Sequence, residues 1–256
     1  IRGSITGRNE LAIVSGQLAA FVINAIIGNV WGHVDGVWRI MFAVCAIPAI
    51  GLFFGMLRMP ESPRWLLEKG RRDEALAVLK TVRPADRAEA ELAEVEATAR
   101  AERGSAIGLS AIFQNKWLVR ILLVGIGLGI AQQLTGINSV MYYGNAILTE
   151  SGFSESAALI ANIAPGVIAV VGGIIALYMM DRVDRRKTII TGFTLTTISH
   201  VLIGVASMAL PEGNPARPWV ILALVVVFVG SMQTFLNIAV WVYIAEVFPL
   251  HMRGVG

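Results

Sequence analysis

Between Ile121 and Met180 the only ionisable side chains besides tyrosine are Glu150 and Glu155. A stretch of this length and so little charge has no surface to offer water, and uncharged apolar runs of roughly 20 residues are the mark of helices that cross a bilayer. The whole chain can be divided on that basis. Six candidate spans appear, at 11–28, 40–57, 121–149, 157–180, 188–210 and 218–248. The third and sixth exceed what a straight crossing needs, which predicts tilt, a break or an extension beyond the lipid. Only 15% of the 256 residues are charged, against about a quarter in a soluble domain.

The basic residues that remain are arranged unevenly. Of the 21 Lys and Arg, only Arg39 and Arg217 fall on the loops after the first, third and fifth spans. All others lie before the first span, on the 58–120 segment, on the 181–187 loop or after the last span. Positive charge gathers on the cytoplasmic side of a membrane, so both ends and the 58–116 loop are expected in the cytoplasm of a multi-pass protein of the cell membrane. This explains the net charge of +3 without nucleic acid as a partner; the bilayer is the partner. The one cysteine, Cys45, permits no intrachain disulfide and reads as a small apolar filler. The chain does not begin with Met and reads as an excerpt of a longer protein.

Residues 58–116 interrupt the membrane pattern. In MPESPRWLLEKG, Ser62 is placed as an N-cap, Pro63 at the first helical position and Gly70 as terminator. RRDEALAVLKTVR sets Ala75, Leu76, Leu79 and Val82 on one face, and ADRAEAELAEVEATARAER is alanine-rich and strongly helix-forming. Three short amphipathic helices are predicted. The fold class that follows is an all-α membrane protein with six transmembrane helices and a cytoplasmic helical insertion.

Polar residues inside the spans point to function, because amides and phenols are costly in a low dielectric without partners. AQQLTGINSVMYYG, at 131–144, is the densest cluster. On an ideal helix Gln132, Gln133 and Gly136 share an arc of about 100°, and Asn138 and Tyr142 fall on the opposite side. One ligand can meet both groups only if the helix bends, and Gly136 beside Thr135 is the place for it. Gln17 and Asn24, seven residues apart, share a face of the first span. Gln233, Asn237 and Trp241 form an i, i+4, i+8 stripe on the last. Amides both donate and accept, which suits neutral polyhydroxylated solutes, and an indole can stack on an apolar ring face. Interhelical hydrogen bonding is the competing use of the same amides. The spans hold no acid or base except His200, read as a scaffold histidine, and Glu246 near an end. That scarcity favours a neutral solute. GIGLGI at 125–130 lacks the strand and acidic residue of a dinucleotide loop. No metal cluster, cofactor motif or catalytic triad is seen, and the chain does not read as an enzyme.

PESPRWLLEKG after a span, QQLTGINSVMYYG opening the next half, D-R-x-x-R-R at 181–186 and AEVFPLHMRG at the end together resemble the sugar porter family of the major facilitator superfamily. Arg2-Gly3 and Arg253-Gly254, one six-span period apart, fit its two repeated halves. The resemblance implies a twelve-helix fold of which this chain holds helices five to ten, with helices one to four, eleven and twelve outside it. Residues 1–57 would be the last two helices of the N-terminal half, 58–116 the linker, and 117–256 the first four helices of the C-terminal half. It implies transport of a neutral sugar or polyol by alternating access, as uniport or proton symport. It assigns Gln17, Gln132, Gln133, Asn138, Tyr142 and Trp241 to the sugar, with Asn237 in the same pocket, and Tyr142 and Tyr143 to an outer gate. Arg2, Glu61, Arg64, Asp181, Arg182, Arg185, Arg186, Glu246 and Arg253 would form a breakable cytoplasmic charge network. The sequence departs from the family in three places. Asn237-Ile238 stand for glycine and proline, Ala169 stands for a binding asparagine, and Asp184 stands for a loop glycine, where a left-handed backbone would be tolerated. A carrier of another small solute such as a carboxylate, or a transporter-like nutrient sensor, are the readings that compete. The topology is directly testable: a reporter active only in the cytoplasm is expected to be active when fused within 58–116 and inactive when fused at Asn214.

Overall fold

The structure, a computed structural model, describes residues 2–105, 114–180 and 182–247. Every regular element among them is helical. The chain divides into two compact units, one of residues 1–45 and 121–247, the other of 46–120 and 248–256. Six stretches are long and apolar enough to cross a membrane: Gly7–Trp31, Val37–Met56, Lys116–Ser151, Glu155–Met179, Arg185–Ala209 and Arg217–Val247.

In the first unit, α1 (Arg2–Trp31) leads into α2 (Val37–Met56), which continues beyond the unit. The third span is not one helix but two, α6 (Lys116–Gln133) and α7 (Ile137–Ser151). The fourth span is likewise divided, into α8 (Glu155–Ala161) and α9 (Ile163–Met179), with Asn162 between them. Then follow α10 (Arg185–Ala209), α11 (Arg217–Ser231), a π-helical segment over Met232–Asn237, and α12 (Ile238–Val247). The excess length seen in the third and sixth spans is thus used for a break in one and a widened turn in the other.

Helix α9 is the packing centre. It lies against α1 on one side and against α11 and the π segment on another. Small residues make this possible: Gly166, Ala169, Gly172, Gly173 and Ala176 are all buried. A methyl group added at Gly166 would meet Leu18 and Phe21 of α1, and one at Gly172 would meet Gln233 and Thr234. Lipid offers no hydrophobic drive to bring helices together, so close backbone approach and van der Waals contact carry the association. The core around them is apolar, with Phe228, Val229, Met232, Leu236 and Val240 fully buried. Ala169, the position where the family asparagine was expected, is part of that core and 0% exposed.

Helix α10 carries five hydroxyls that turn back on their own helix. Those of Thr188, Thr194, Thr196, Thr197 and Ser199 donate to the carbonyl four residues earlier. Satisfied within the helix, they need no partner on a neighbour. Cys45 is exposed on α2, not packed as a filler.

The second unit contains the insertion as three helices, α3 (Pro63–Glu68), α4 (Arg72–Val82) and α5 (Ala85–Ser105). Pro63 begins the first of them and Gly70 ends it with φ +76°, as the sequence predicts. Ser62 flanks it in an extended conformation, but its hydroxyl caps nothing. The three pack through Leu66, Ala75, Leu79, Ala88 and Leu92. Val82, expected on this face, is 65% exposed at the end of α4. The Arg71 guanidinium donates to both Glu74 oxygens, at 2.7 and 2.6 Å, and these bonds hold the Glu74 carboxyl below its ordinary range.

The glycine contact at the centre gives a test. In Gly172→Val the new side chain would overlap Gln233, Thr234 and the Gly230 carbonyl, none more than 3.3 Å from the added carbon. Overpacking of this kind costs about 1–3 kcal/mol, so the purified full-length protein is expected to unfold several degrees lower in detergent. Gly204→Val, where an added carbon meets nothing, serves as the control and leaves the midpoint in place.

Candidate functional site: a polar cavity between broken helices

The break in the third span is set by Gly136, whose φ of +77° places it in the left-handed region that glycine reaches without strain. Ending α6 at Gln133 strips its last carbonyls of their helical donors. Local groups replace them. The Thr135 hydroxyl donates to the Gln132 carbonyl at 2.6 Å, and the Gly136 N–H reaches the Gln133 carbonyl at 3.3 Å. The bend then does what the sequence required of it. Asn138 Nδ2 donates to Gln133 Oε1 at 2.8 Å, so two residues from opposite sides of an ideal helix meet directly.

The last span supplies the facing wall. Gln233, Asn237 and Trp241 do line one surface, but the segment that presents the first two is a π turn, not the regular helix the i, i+4, i+8 spacing assumed. A π turn is wider than an α turn, and such turns concentrate at functional sites. Glycines on both neighbours make room for it. Gly172 of α9 lies against Gln233 and Thr234, and Gly192 of α10 against Phe235 and Leu236.

Together α1, α6, α7, the π segment and α12 enclose a cavity of about 220 Å³. Six of the residues proposed from sequence line it: Gln17, Gln132, Gln133, Asn138, Asn237 and Trp241. Tyr142 and Tyr143 do not. They stand on the outer surface of α7, 77% and 65% exposed. Asn24 is not among the lining residues either, whereas Gln233 is, and is buried.

One residue was missed. Glu10 lies just before the first span as drawn from the sequence, yet α1 extends through it and its carboxylate lines the cavity. Its spacing could have revealed it, since Glu10 and Gln17 are seven residues apart and share a helical face. The statement that the spans hold no acid but Glu246 is therefore corrected. Asn237 Nδ2 donates to Glu10 Oε2 at 3.1 Å, and Gln132 Nε2 donates to Asn237 Oδ1 at 3.4 Å. The side chain that departs from the family pattern is thus the middle of a three-residue chain from α6 to α1. Two cavity residues still have unmet needs: Gln132 Oε1 and Gln233 Oε1 are buried and accept no hydrogen bond from the described residues. A buried acceptor of this kind calls for a donor from whatever fills the cavity.

A family model described as sugar (and other) transporter matches residues 1–256. The chain belongs to the sugar transporter family. It is 47% identical over 255 residues to the major myo-inositol transporter IolT of Bacillus subtilis (strain 168), covering 100% of this chain and 54% of that protein. It is 35% identical over 257 residues to a D-xylose transporter of Levilactobacillus brevis, covering 100% of this chain and 54% of the relative. Among solved structures, the xylose transporter XylE from E. coli in a partially occluded inward open conformation superposes with a TM-score of 0.78 at 26% identity, over 98% of this chain and 52% of XylE. The chain thus spans about half the length of the relatives it matches, and it has the all-helical major facilitator fold of that half.

Of the charges proposed as a network, Arg185 and Glu246 are joined among the described residues. Arg185 at the start of α10 donates to Glu246 at the end of α12 through two nitrogens, at 3.3 and 3.2 Å. Both lie after the insertion in the chain, so this pair joins α10 to α12. The Arg182 guanidinium lies 5.6 Å from the Tyr178 ring. Glu61 and Arg64 belong to the second unit. Asp181, Arg253 and the Arg2 side chain lie outside the described residues. Asp184 has φ −57° and ψ 125°, so this member of the family takes no left-handed turn there.

The Glu10–Asn237 bond can be measured by a double-mutant cycle with Glu10→Ala and Asn237→Ala. Thermal unfolding of the full-length protein is expected to give a coupling of about 0.5–3 kcal/mol. Strictly additive effects would mean that the two side chains do not interact.

Proposed function

We propose that the cavity is the binding site of a carrier that moves a neutral sugar or polyol across the membrane by alternating access. The observation that supports this best is the lining itself. Six amide side chains, an indole and a single carboxylate converge on one small space, with two buried amide oxygens that have no donor among the described residues. A polyhydroxylated ring supplies O–H donors for those oxygens and acceptors for the amide N–H groups, and its apolar face suits Trp241. Glu10 adds an acceptor for paired hydroxyls. A carboxylate solute would meet Glu10 with no cationic side chain among the described lining residues to offset it. Two of the relatives, a myo-inositol transporter and a D-xylose transporter, agree with this solute class.

Movement would centre on Gly136. Helix α7 carries Tyr142 and Tyr143 one turn beyond Asn138, and swinging it about the break would carry both tyrosines over the bound solute as an outer gate. On the cytoplasmic side the Arg185–Glu246 pair keeps α10 and α12 moving as one body. An exposed pair of this kind contributes only about 0–1 kcal/mol, a small addition to the direct packing of the two helices.

The full-length protein in proteoliposomes should take up at least one labelled solute from a panel of myo-inositol, D-xylose and D-glucose. Gln133→Ala should raise the apparent KM for that solute about tenfold or more, because Gln133 loses both its own contact and its bond to Asn138. Unchanged uptake of every solute in Gln133→Ala would remove the cavity from the pathway. The six helices alone should not transport.

A further inference from the structure

The break between α6 and α7 leaves one more carbonyl to account for. Thr135 stands between the two helices, and its carbonyl is met by a side chain from another span: His200 Nε2 of α10 lies 2.6 Å from it. A carbonyl only accepts, so Nε2 must carry the hydrogen. The ring is held in place from behind. It stacks on Phe228 of α11 with centroids 4.3 Å apart and planes inclined by 28°, and Phe228 is fully buried. Nε2 also lies 3.5 Å from where a methyl group on Gly136 would sit, so the imidazole fits against the hinge glycine itself.

We propose that His200 is the positioning residue of this hinge. By holding the Thr135 carbonyl it fixes the bend at which Gln132 and Gln133 face Asn138 across the cavity. Three features meet at this point: an irregular backbone that lipid cannot hydrate, a glycine that makes it deformable, and an aromatic-backed donor on a separate helix that holds it. His200 does not line the cavity and acts on the solute only through the backbone it holds. This assignment rests on the solute-cavity reading for its kinetic consequences, but its structural consequence is independent of any solute.

The test compares wild type, His200→Phe and His200→Gln in the full-length protein. Phenylalanine keeps the stack on Phe228 and loses the donor, whereas glutamine can place an amide N–H near the position of Nε2. Hydrogen–deuterium exchange of the 131–144 segment in nanodiscs reads the hinge without any solute. His200→Phe is expected to raise exchange there about tenfold, the factor an ordinary hydrogen bond is worth. Exchange in α9 should not change, and His200→Gln should stay close to wild type. In proteoliposomes, for whichever panel solute the wild type carries, His200→Phe should raise KM about tenfold with Vmax within about twofold, and His200→Gln should restore it. Exchange at 131–144 that is the same in His200→Phe as in wild type would overturn the proposal, whatever uptake shows. So would a His200→Gln protein of wild-type exchange that loses its response to a proton gradient, since that would make His200 a proton carrier. A wild type that transports none of the panel would count against the solute reading and leave the exchange result to decide the hinge.

Discussion

A backbone carbonyl or N–H inside a bilayer must find its partner within the protein, and the architecture of the site is organised by that requirement. Regular helices meet it automatically, which is why most of the chain is regular. The cavity exists because the rule is met by other means at two places. At 134–136 the freed carbonyls are taken up by the Thr135 hydroxyl, the Gly136 N–H and the His200 ring. At 232–237 the ladder shifts to a π turn and stays within one helix. Both irregularities project amides inward, and neither would persist without the groups that stabilise it.

Small residues provide the complementary condition. Gly172 and Gly192 lie on different helices, yet both create space for the same π turn. Without them, Gln233 and Asn237 could not be displaced from a regular helix while α9 and α10 remained in contact with it. Packing and polarity are therefore coupled. The glycines that draw helices together also determine where the amides point, and the resulting chain from Gln132 through Asn237 to Glu10 connects α6, the π segment and α1.

Much of this was legible in the chain. Charge scarcity located the spans, the loops carried the basic residues, and Pro63 and Gly70 bounded the first insertion helix where the structure has it. The need for a bend near Gly136 followed from the angular conflict between Gln133 and Asn138, and the two side chains do meet. Other features were not legible. Val82 fits the apolar face of α4 by spacing, but the helix ends there and leaves it exposed. Glu10 falls outside the first span because a hydropathy boundary stops at the first charge, whereas a helix does not. The π turn has no local signature in MQTFLN, because its cause lies on α9 and α10.

By itself the sequence determined the elements that depend on composition and on contacts near in the chain: six apolar spans, an amphipathic insertion, a glycine hinge and a set of amides suited to hydroxyls. Those properties follow from solvation and from helical periodicity, both of which act over a few residues. Tertiary structure alone decided which polar groups share a space and which carbonyls need outside help. Glu10 and Asn237 are far apart in sequence, as are His200 and Thr135, and no periodicity relates them. They meet because helices packed through glycine approach closely enough for a side chain on one to satisfy the backbone or amide of another.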